Sequence, residues 1–512
     1  MVTVTAVAFI KLQHPRSLRL ALLIGCIGFG AGLLAYLPPP HFPYTYQNDE
    51  PSKVEQIQGG YRNLRHPVLM LTIVDALTRL SNTTDQGQRI ADIGRTLSAV
   101  SVAFAIGALA FCLTASIGLW SGLAAIAMAL VQPLLYETTC YFKEDGLHIA
   151  TLTLCAAAFT IVSRWQRSFE SPQAGFLIGL AAGLALSARY YVWVVALVVV
   201  VFLLATRRAT WLNTGLPSVV ALGLFAALHV PWLMQPTSTP GEVAREVSWL
   251  LHGHYHVGYT VPHNLYVRQY LESSAPLYAG LLLAGILVWW QSKIRPALAA
   301  IVLVCMYVAF LSFSSKYAER YFLPILLVLI AAQASGWSAI MNLLQSAFPK
   351  TKTLASFAAA LLVALPIYVQ NREVSQLKQL FARDSRQELA RWIENNLPPD
   401  VQIAEDSQAQ LRNWHPALVT RHAHFVTDLG SPEEMIAAGF THIIMCYDRH
   451  HRYTGVGRRI LDPQDKESAA RKERYLRLLN DFPMIWQSES VNPKALHPGL
   501  QVVALKPENK LD

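Results

Sequence analysis

The chain has 512 residues, 53% of them hydrophobic and only 15% charged, against about 25% charged in ordinary soluble domains. Its apolar residues gather in runs of roughly 17–25, the length that crosses ~30 Å of hydrocarbon, so a soluble enzyme is excluded and a polytopic membrane protein is predicted. Lys and Arg number 42 against 33 Asp and Glu, a net charge of +9. That excess reads as topology-setting loop charge facing anionic lipid, and with no basic run interleaved with aromatics, no nucleic-acid partner is expected.

At the N-terminus, Lys11, Arg16 and Arg19 precede an apolar stretch, Leu20–Leu37, that stops at Pro38-Pro39-Pro40. A signal peptide would show a small-x-small cleavage motif there. None is present and the stretch is long enough to span, so it is read as a retained first helix with its N-terminus inside. Further spans are predicted near 96–115, 118–136, 146–163, 173–188, 190–206, 213–234, 275–291, 297–313, 321–341 and 353–370, about 11 in all by hydropathy. Arg164/Arg167, Arg207/Arg208, Lys293/Arg295 and Lys350/Lys352 fall in alternate loops, which the positive-inside rule assigns to the cytoplasm. The loops 38–92, 136–145, 235–274 and 314–320, and the tail after 370, then face outward.

From about residue 371 the composition turns polar. Ser385-Arg-Gln-Glu388 reads as a capping box opening an amphipathic helix with Leu389, Trp392, Ile393 and Leu397 on one face. Val401–Ala404 reads as a strand, Ser431-Pro-Glu-Glu434 as a second helix start with Gly439 ending that helix, and Phe440–Tyr447 as a buried strand. The division expected is a transmembrane catalytic domain over 1–370 and an α/β domain over 371–512. Of the six cysteines, four lie in apolar spans, where Cys acts as a small hydrophobe; no CxxC or Cys/His spacing marks a disulfide framework or a zinc site.

The chemistry-bearing residues are few. Between Ile93 and Pro240 the only acids are Glu137, Glu144, Asp145 and Glu170. Asp49-Glu50 lies in the first outer loop, and Glu144-Asp145 opens a later span on the same side. Asn48-Asp49-Glu50-Pro51 is a good helix start, so Asp49 reads both as an N-cap and as a general base for an acceptor hydroxyl. Glu144-Asp145 reads likewise as a helix cap or as site acids. Carboxylates kept at one membrane face point to chemistry there. Lys53, Arg62, Arg65, His66, Lys143, Arg189, Arg245, Arg268, Lys316 and Arg320 could hold an anionic leaving group on that face, although each taken singly reads as a headgroup contact. Arg189 and Arg320 stand apart, since an Arg at the hydrocarbon boundary calls for an anionic partner and its fork suits phosphate oxygens. His252, His254 and His256 alternate in HGHYH and would share one face of a strand, with a metal site as one reading and a polar cavity lining as the other. There is no P-loop, nucleophile elbow or HExxH.

Taken in order, these segments resemble the GT-C superfamily of polyprenyl-phosphate-sugar-dependent glycosyltransferases, which includes protein O-mannosyltransferases, lipid A aminoarabinose transferases and RgtA/B/C/D-like lipopolysaccharide glycosyltransferases. The matching residues are Asp49-Glu50-Pro51, His66-Pro67-Val68-Leu69 (similar to the family's HPPL), Lys143-Glu144-Asp145-Gly146-Leu147, Leu186-Ser187-Ala188-Arg189-Tyr190, and Arg320-Tyr321-Phe322-Leu323-Pro324 (similar to RYxLP). The likeness covers roughly residues 15–345. It implies a mainly α fold: a polytopic helical membrane protein of the GT-C type with a C-terminal α/β extracytoplasmic domain. It also implies a bacterial inner-membrane enzyme with its site in the periplasm. The donor would be a polyprenyl-phosphate-linked sugar and the acceptor an envelope glycan, lipid or protein. Asp49, Glu50 and Asp145 would be the catalytic acids, with Lys53, His66, Glu144, Arg189, Tyr190, Arg320 and Tyr321 binding substrate. No cofactor is fixed by the resemblance; a divalent cation near Asp145 stays open. The sequence departs from the aminoarabinose-transferase pattern at Ser52-Lys53, where DEPRY has Arg, at His66, where those enzymes have Lys, and at Val68, which replaces the second Pro of HPPL. The rival readings are a transporter or flippase, which predicts internal repeats and mid-span charges that are not seen, and a non-catalytic scaffold.

Overall fold

The computed structural model describes residues 16–64, 67–163, 171–189, 212, 215–235, 257–259, 276–292, 305, 307, 319–349, 351–415, 419–455, 458–460, 465–488 and 498–505. His66, Tyr190 and the histidines of HGHYH lie outside the described residues, as do the predicted span 190–206 and nearly all of 297–313.

Helix α1 (Arg16–Tyr36) leads into a long connection that carries α2 (Glu50–Gln58) and α3 (Val68–Leu80). The longest apolar element, α4 (Gly87–Ser116), follows. α1 lies directly against it, and the contact depends on glycine. A Cβ at Gly32 would stand 2.8 Å from Ala103, and one at Gly107 would stand 2.6 Å from the Gly25 carbonyl oxygen. Small residues of this kind let two membrane helices approach backbone to backbone, where dispersion replaces the absent hydrophobic drive.

The apolar run predicted as a single span over 118–136 is broken. α5 (Leu119–Leu130) and α6 (Pro133–Thr139) meet at 66°. Pro133 explains the break, because it lacks the N–H that would continue the ladder and is well placed in a first helical turn. The redirected chain then delivers Tyr141–Lys143 to the start of α7 (Glu144–Ile161). α8 (Pro172–Ala188), α9 (Leu216–Leu233), α10 (Pro276–Ser292) and α11 (Leu323–Ala347) continue the bundle. Among the described residues four helical stretches are long and apolar enough to cross a membrane, or five if α5 and α6 count as one bent span. The chain is a polytopic helical membrane protein.

α12 (Lys352–Phe381) is a single helix of 30 residues, apolar in sequence over its first half and polar over its second. It runs without interruption through the expected boundary at 370/371. Its end is anchored by Phe381, whose ring stands 6.0 Å from that of Tyr136 and 5.6 Å from that of Tyr141.

Beyond it lies a five-stranded sheet of order β3-β2-β4-β7-β6, with β2 (Gln402–Asp406), β3 (Val419–Ala423), β4 (His442–Cys446), β6 (Met484–Gln487) and β7 (Leu500–Ala504). β2 is parallel to β3 and β4, and β7 is antiparallel to β4 and β6. β1 (Val257–Tyr259) pairs with β5 (Arg458–Ile460), tying residues 257–259 to this region. The period-2 pattern of β4 and β7 sorts side chains to two apolar layers. Ile443, Met445 and Val503 pack with Phe425, Tyr453 and Tyr475, while Ile444, Cys446 and Val502 pack with α13 (Ser385–Asn396). The expected helix start at Ser431 is present as a full capping box, opening α14 (Pro432–Ala437), and Gly439 follows it at φ 92°. The expected box at Ser385 does not form. Asp384 caps α13 instead, accepting from the Arg386 N–H, and Ser385 donates to the Pro498 carbonyl. Asp is an equally good cap one position earlier.

Asp406 closes the carboxyl end of β2. Its wholly buried carboxylate accepts from the Val426 and Cys446 N–H groups, both at 2.7 Å, and from the Tyr475 hydroxyl at 2.9 Å. Burial pushes its pKa from 3.8 up to about 6, against the lowering effect of those donors. The native state therefore holds this proton to higher pH than the unfolded chain does. The stability it confers is complete below the unfolded value and is lost as the pH rises through the native one. Hydrogen exchange at the Ile443 and Ile444 amides should show wild type losing stability relative to Asp406→Asn between about pH 4 and pH 6. A difference that does not change over that window would refute the assignment.

Candidate active site

The segment after α1 places Asp49 at the N-cap position of α2, but its side chain makes no cap hydrogen bond. Gln47 supplies the acceptor. Its Oε1 takes the N–H of Asp49 at 2.8 Å and that of Glu50 at 3.0 Å. The Asp49 carboxylate faces the other acidic segment, with Oδ2 3.1 Å from Lys143 Nζ. Lys143 stands at the N-cap position of α7. Burial lowers its pKa and Arg320 lowers it further, while Asp49 and Asp145 oppose them.

A second bridge runs the other way. Lys53, on α2, reaches Glu144 at the start of α7 at 2.7 Å and donates to the Phe142 carbonyl at 2.7 Å. The two acidic segments, distant in sequence, are thus joined by crossed lysine–carboxylate pairs. Lys53 and Glu144, both expected to bind substrate, are paired with each other here. Lys53 has no exposed surface and Glu144 is 5% exposed, because each neutralises the other in the seam between helices.

Glu50, expected among the catalytic acids, is paired with Arg95. It is fully buried, with Oε2 2.5 Å from Arg95 Nη2 and Oε1 accepting from Arg95 Nε at 3.1 Å and the Phe142 N–H at 2.8 Å. Arg95 completes the anchor by donating to the Phe42 carbonyl at 2.7 Å and lying 3.6 Å above the Phe42 ring. Both Glu50 oxygens are occupied by a bidentate fork, so substrate has no access to them. Sequence reasoning missed Arg95 and Gln47. Arg95 had a usable signal, as a charge just before a long apolar run; Gln47 had none.

Asp145 sits one residue into α7 and is nearly buried. It pairs with Arg189, at the C-terminal end of α8, and its Oδ2 lies 3.6 Å from Arg320 Nε. Both guanidinium groups lie 5.5 Å from the Tyr321 ring. The Arg320 side chain keeps 34% of its surface exposed, against 10% for Arg189, so Arg320 is the better placed to meet an incoming anion. Arg62 is a structural cation, held by Asp75 at 3.0 Å and stacked 4.3 Å from the Trp232 ring. Among the described residues no group of three His, Cys, Asp or Glu side chains is placed to hold a metal ion. Asp145 is faced by two arginines, so the described residues around it do not fit a divalent cation.

The chain has the GT-C glycosyltransferase fold. Residues 65–234 match the family model for dolichyl-phosphate-mannose-protein mannosyltransferase. The chain is similar to ArnT from Cupriavidus metallidurans bound to undecaprenyl phosphate, with a TM-score of 0.51 and 13% identity over 96% of this chain and 98% of that one. It is also similar to the archaeal oligosaccharyltransferase AglB from Archaeoglobus fulgidus in complex with an inhibitory peptide and a dolichol-phosphate, with a TM-score of 0.53 and 10% identity over 92% of this chain and 79% of that one. No curated protein sequence matches significantly.

Proposed function

We propose that this chain is a membrane glycosyltransferase that moves a sugar from a polyprenyl-phosphate donor to a hydroxyl of a cell-envelope glycan, lipid or protein. The observation that carries this reading is the meeting of Asp49 with Asp145, Arg189 and Arg320, through Lys143, at one end of the helix bundle. The lipid phosphates bound by ArnT and AglB support the donor class. Residues 1–370 form the catalytic membrane domain and 371–512 the α/β domain. The site and the α/β domain face the periplasm of a bacterial inner membrane, with the N-terminus in the cytoplasm.

Asp49 takes the proton of the acceptor hydroxyl, and that oxygen attacks the anomeric carbon. The bond to the phosphate oxygen breaks on the opposite face, giving inversion, and the lipid phosphate leaves with the bonding electrons. Arg320 contacts the departing phosphate. Arg189 and Asp145 hold Arg320 and the adjacent Tyr321 in place. A carboxylate beside a lysine, close to a guanidinium, separates the proton acceptor from the anion site, as the reaction requires.

Loss of one charge-assisted phosphate contact costs about 1.5–3 kcal/mol. Arg320→Ala should therefore raise the donor KM by about 10- to 100-fold and leave the acceptor KM nearly unchanged. Equal losses for both substrates would argue against the phosphate contact. Mass analysis of envelope glycans and glycolipids with and without the gene should show one missing sugar and so identify donor and product together. Identical profiles would reject the transferase reading.

A further inference from the structure

Asp49 has two competing uses in this fold. It occupies the N-cap position of α2, where a carboxylate ordinarily turns back to accept a backbone N–H and favours the helix dipole. A carboxylate so engaged would be turned away from an acceptor hydroxyl. Yet it makes no cap hydrogen bond: Pro51 offers no N–H at the second helical position, and the Asp49 backbone is helical (φ −92°, ψ −20°) rather than extended as a capping residue is. The N–H groups of Asp49 and Glu50 are held instead by the Gln47 side chain. We infer that Gln47 is a positioning residue for the base: by accepting the backbone N–H groups of Asp49 and Glu50, it fixes the stretch of chain from which the Asp49 carboxylate faces Lys143 and the site. The inference rests on the base assignment given above.

Gln47 can do this only if the chain before it is held. That hold comes from the C-terminal sheet region. Arg386, 1% exposed, lies 4.0 Å from the Tyr46 ring, and Tyr46 is itself 2% exposed. Gln410 donates from Nε2 to the Thr45 carbonyl at 2.8 Å. Arg386 is fixed in turn by donating from Nε to the Gln408 carbonyl at 3.0 Å. Thr45, Tyr46 and Gln47 therefore act as a strap, pinned at one end by the α/β domain and delivering one acceptor oxygen at the other. A displacement of about 1 Å in a catalytic group can cost about 100-fold in rate, so a strap of this kind has kinetic consequences without touching substrate.

The test uses the full chain in detergent or nanodiscs, with the donor–acceptor pair whose transfer is lost on deleting the gene. Gln47→Met is close in volume and has no strong acceptor. It should lower kcat by about 10-fold or more, with both KM values and the affinity for undecaprenyl phosphate held within twofold. Gln47→Asn, whose shorter carbonyl still reaches the N–H two residues on, should restore most of kcat. Gln410→Ala, at an exposed contact that should not threaten folding, should show a smaller kcat loss of the same kind. If Gln47→Met does not fold, a wild-type kcat in Gln410→Ala overturns the strap. Wild-type kcat in Gln47→Met, with Asp49→Asn inactive, overturns the strap alone. An active Asp49→Asn enzyme overturns the base assignment, and the strap with it.

Discussion

Asp49→Asn is expected to lower sugar transfer by about 100- to 10,000-fold, the range attributable to a general base, while the protein accumulates and folds as wild type. The amide keeps the shape of the carboxylate and can still meet Lys143 with its oxygen, but it cannot take a proton. Folding should survive because the helix start does not depend on this side chain; Gln47 holds the N–H groups of Asp49 and Glu50. Lys143 loses a charge partner at 3.1 Å and retains the attraction of Asp145, so a modest change in thermal midpoint is the only structural effect expected. Turnover within threefold of wild type would remove Asp49 from the mechanism. Asp49→Glu is a useful companion, since it keeps the proton acceptor but moves it by a methylene, and it should fall between the two.

Arg95→Met should have the largest effect on stability. The Arg95 and Glu50 side chains have no exposed surface. Removing the guanidinium leaves a buried carboxylate with only the Phe142 N–H as donor among its described contacts. Breaking one partner of such a pair costs about 3–5 kcal/mol, a large part of the margin of any domain. The result should be a sharply lowered unfolding midpoint in detergent, or failure to accumulate. The double variant Glu50→Leu/Arg95→Met should recover much of that loss, because no charge is then stranded. Recovery should be incomplete, since the Phe142 N–H would have no acceptor. If the double variant is as unstable as the single one, packing around Phe42, and not the buried charge, dominates the site. Activity should stay low in both, because Glu50 and Arg95 set the position of the residue next to Asp49.

The sequence revealed the membrane helices because apolar length is a property of the local chain. The run at 96–115 lies inside α4, and those at 146–163 and 321–341 overlap α7 and α11 and begin within two residues of them. It overstated the continuity of 118–136, where hydropathy cannot register a bend at Pro133. The acidic pairs were legible as a site because acids are so scarce between residues 93 and 240. Their division of labour was not. Nothing in Asp49-Glu50 says that the first faces a lysine and the second is sealed beneath an arginine from α4. Nor does the spacing of Lys53 and Lys143 show that each crosses to the other segment's acid. Those assignments depend on which side chains are desolvated, and desolvation is fixed by the tertiary packing of α2 against α4 and α7. In the C-terminal region the buried strand β4 was legible from its unbroken apolar run. The cap of α13 was misplaced by one residue, because Asp384 and Ser385 are both good caps and the choice between them turned on the contact Ser385 makes with Pro498.

The 30 residues of α12 extend for about 45 Å at 1.5 Å per residue and form a stiff mast between the bundle and the sheet, in place of a hinge. Orientation in such a joint is quantised by the helical screw. Adding one alanine in its polar half would swing everything mounted above by about 100°, lifting Arg386 off Tyr46, whereas adding seven would nearly restore the phase while raising the domain by about two turns. The angular setting of the sheet region against the bundle is thereby fixed by residue count.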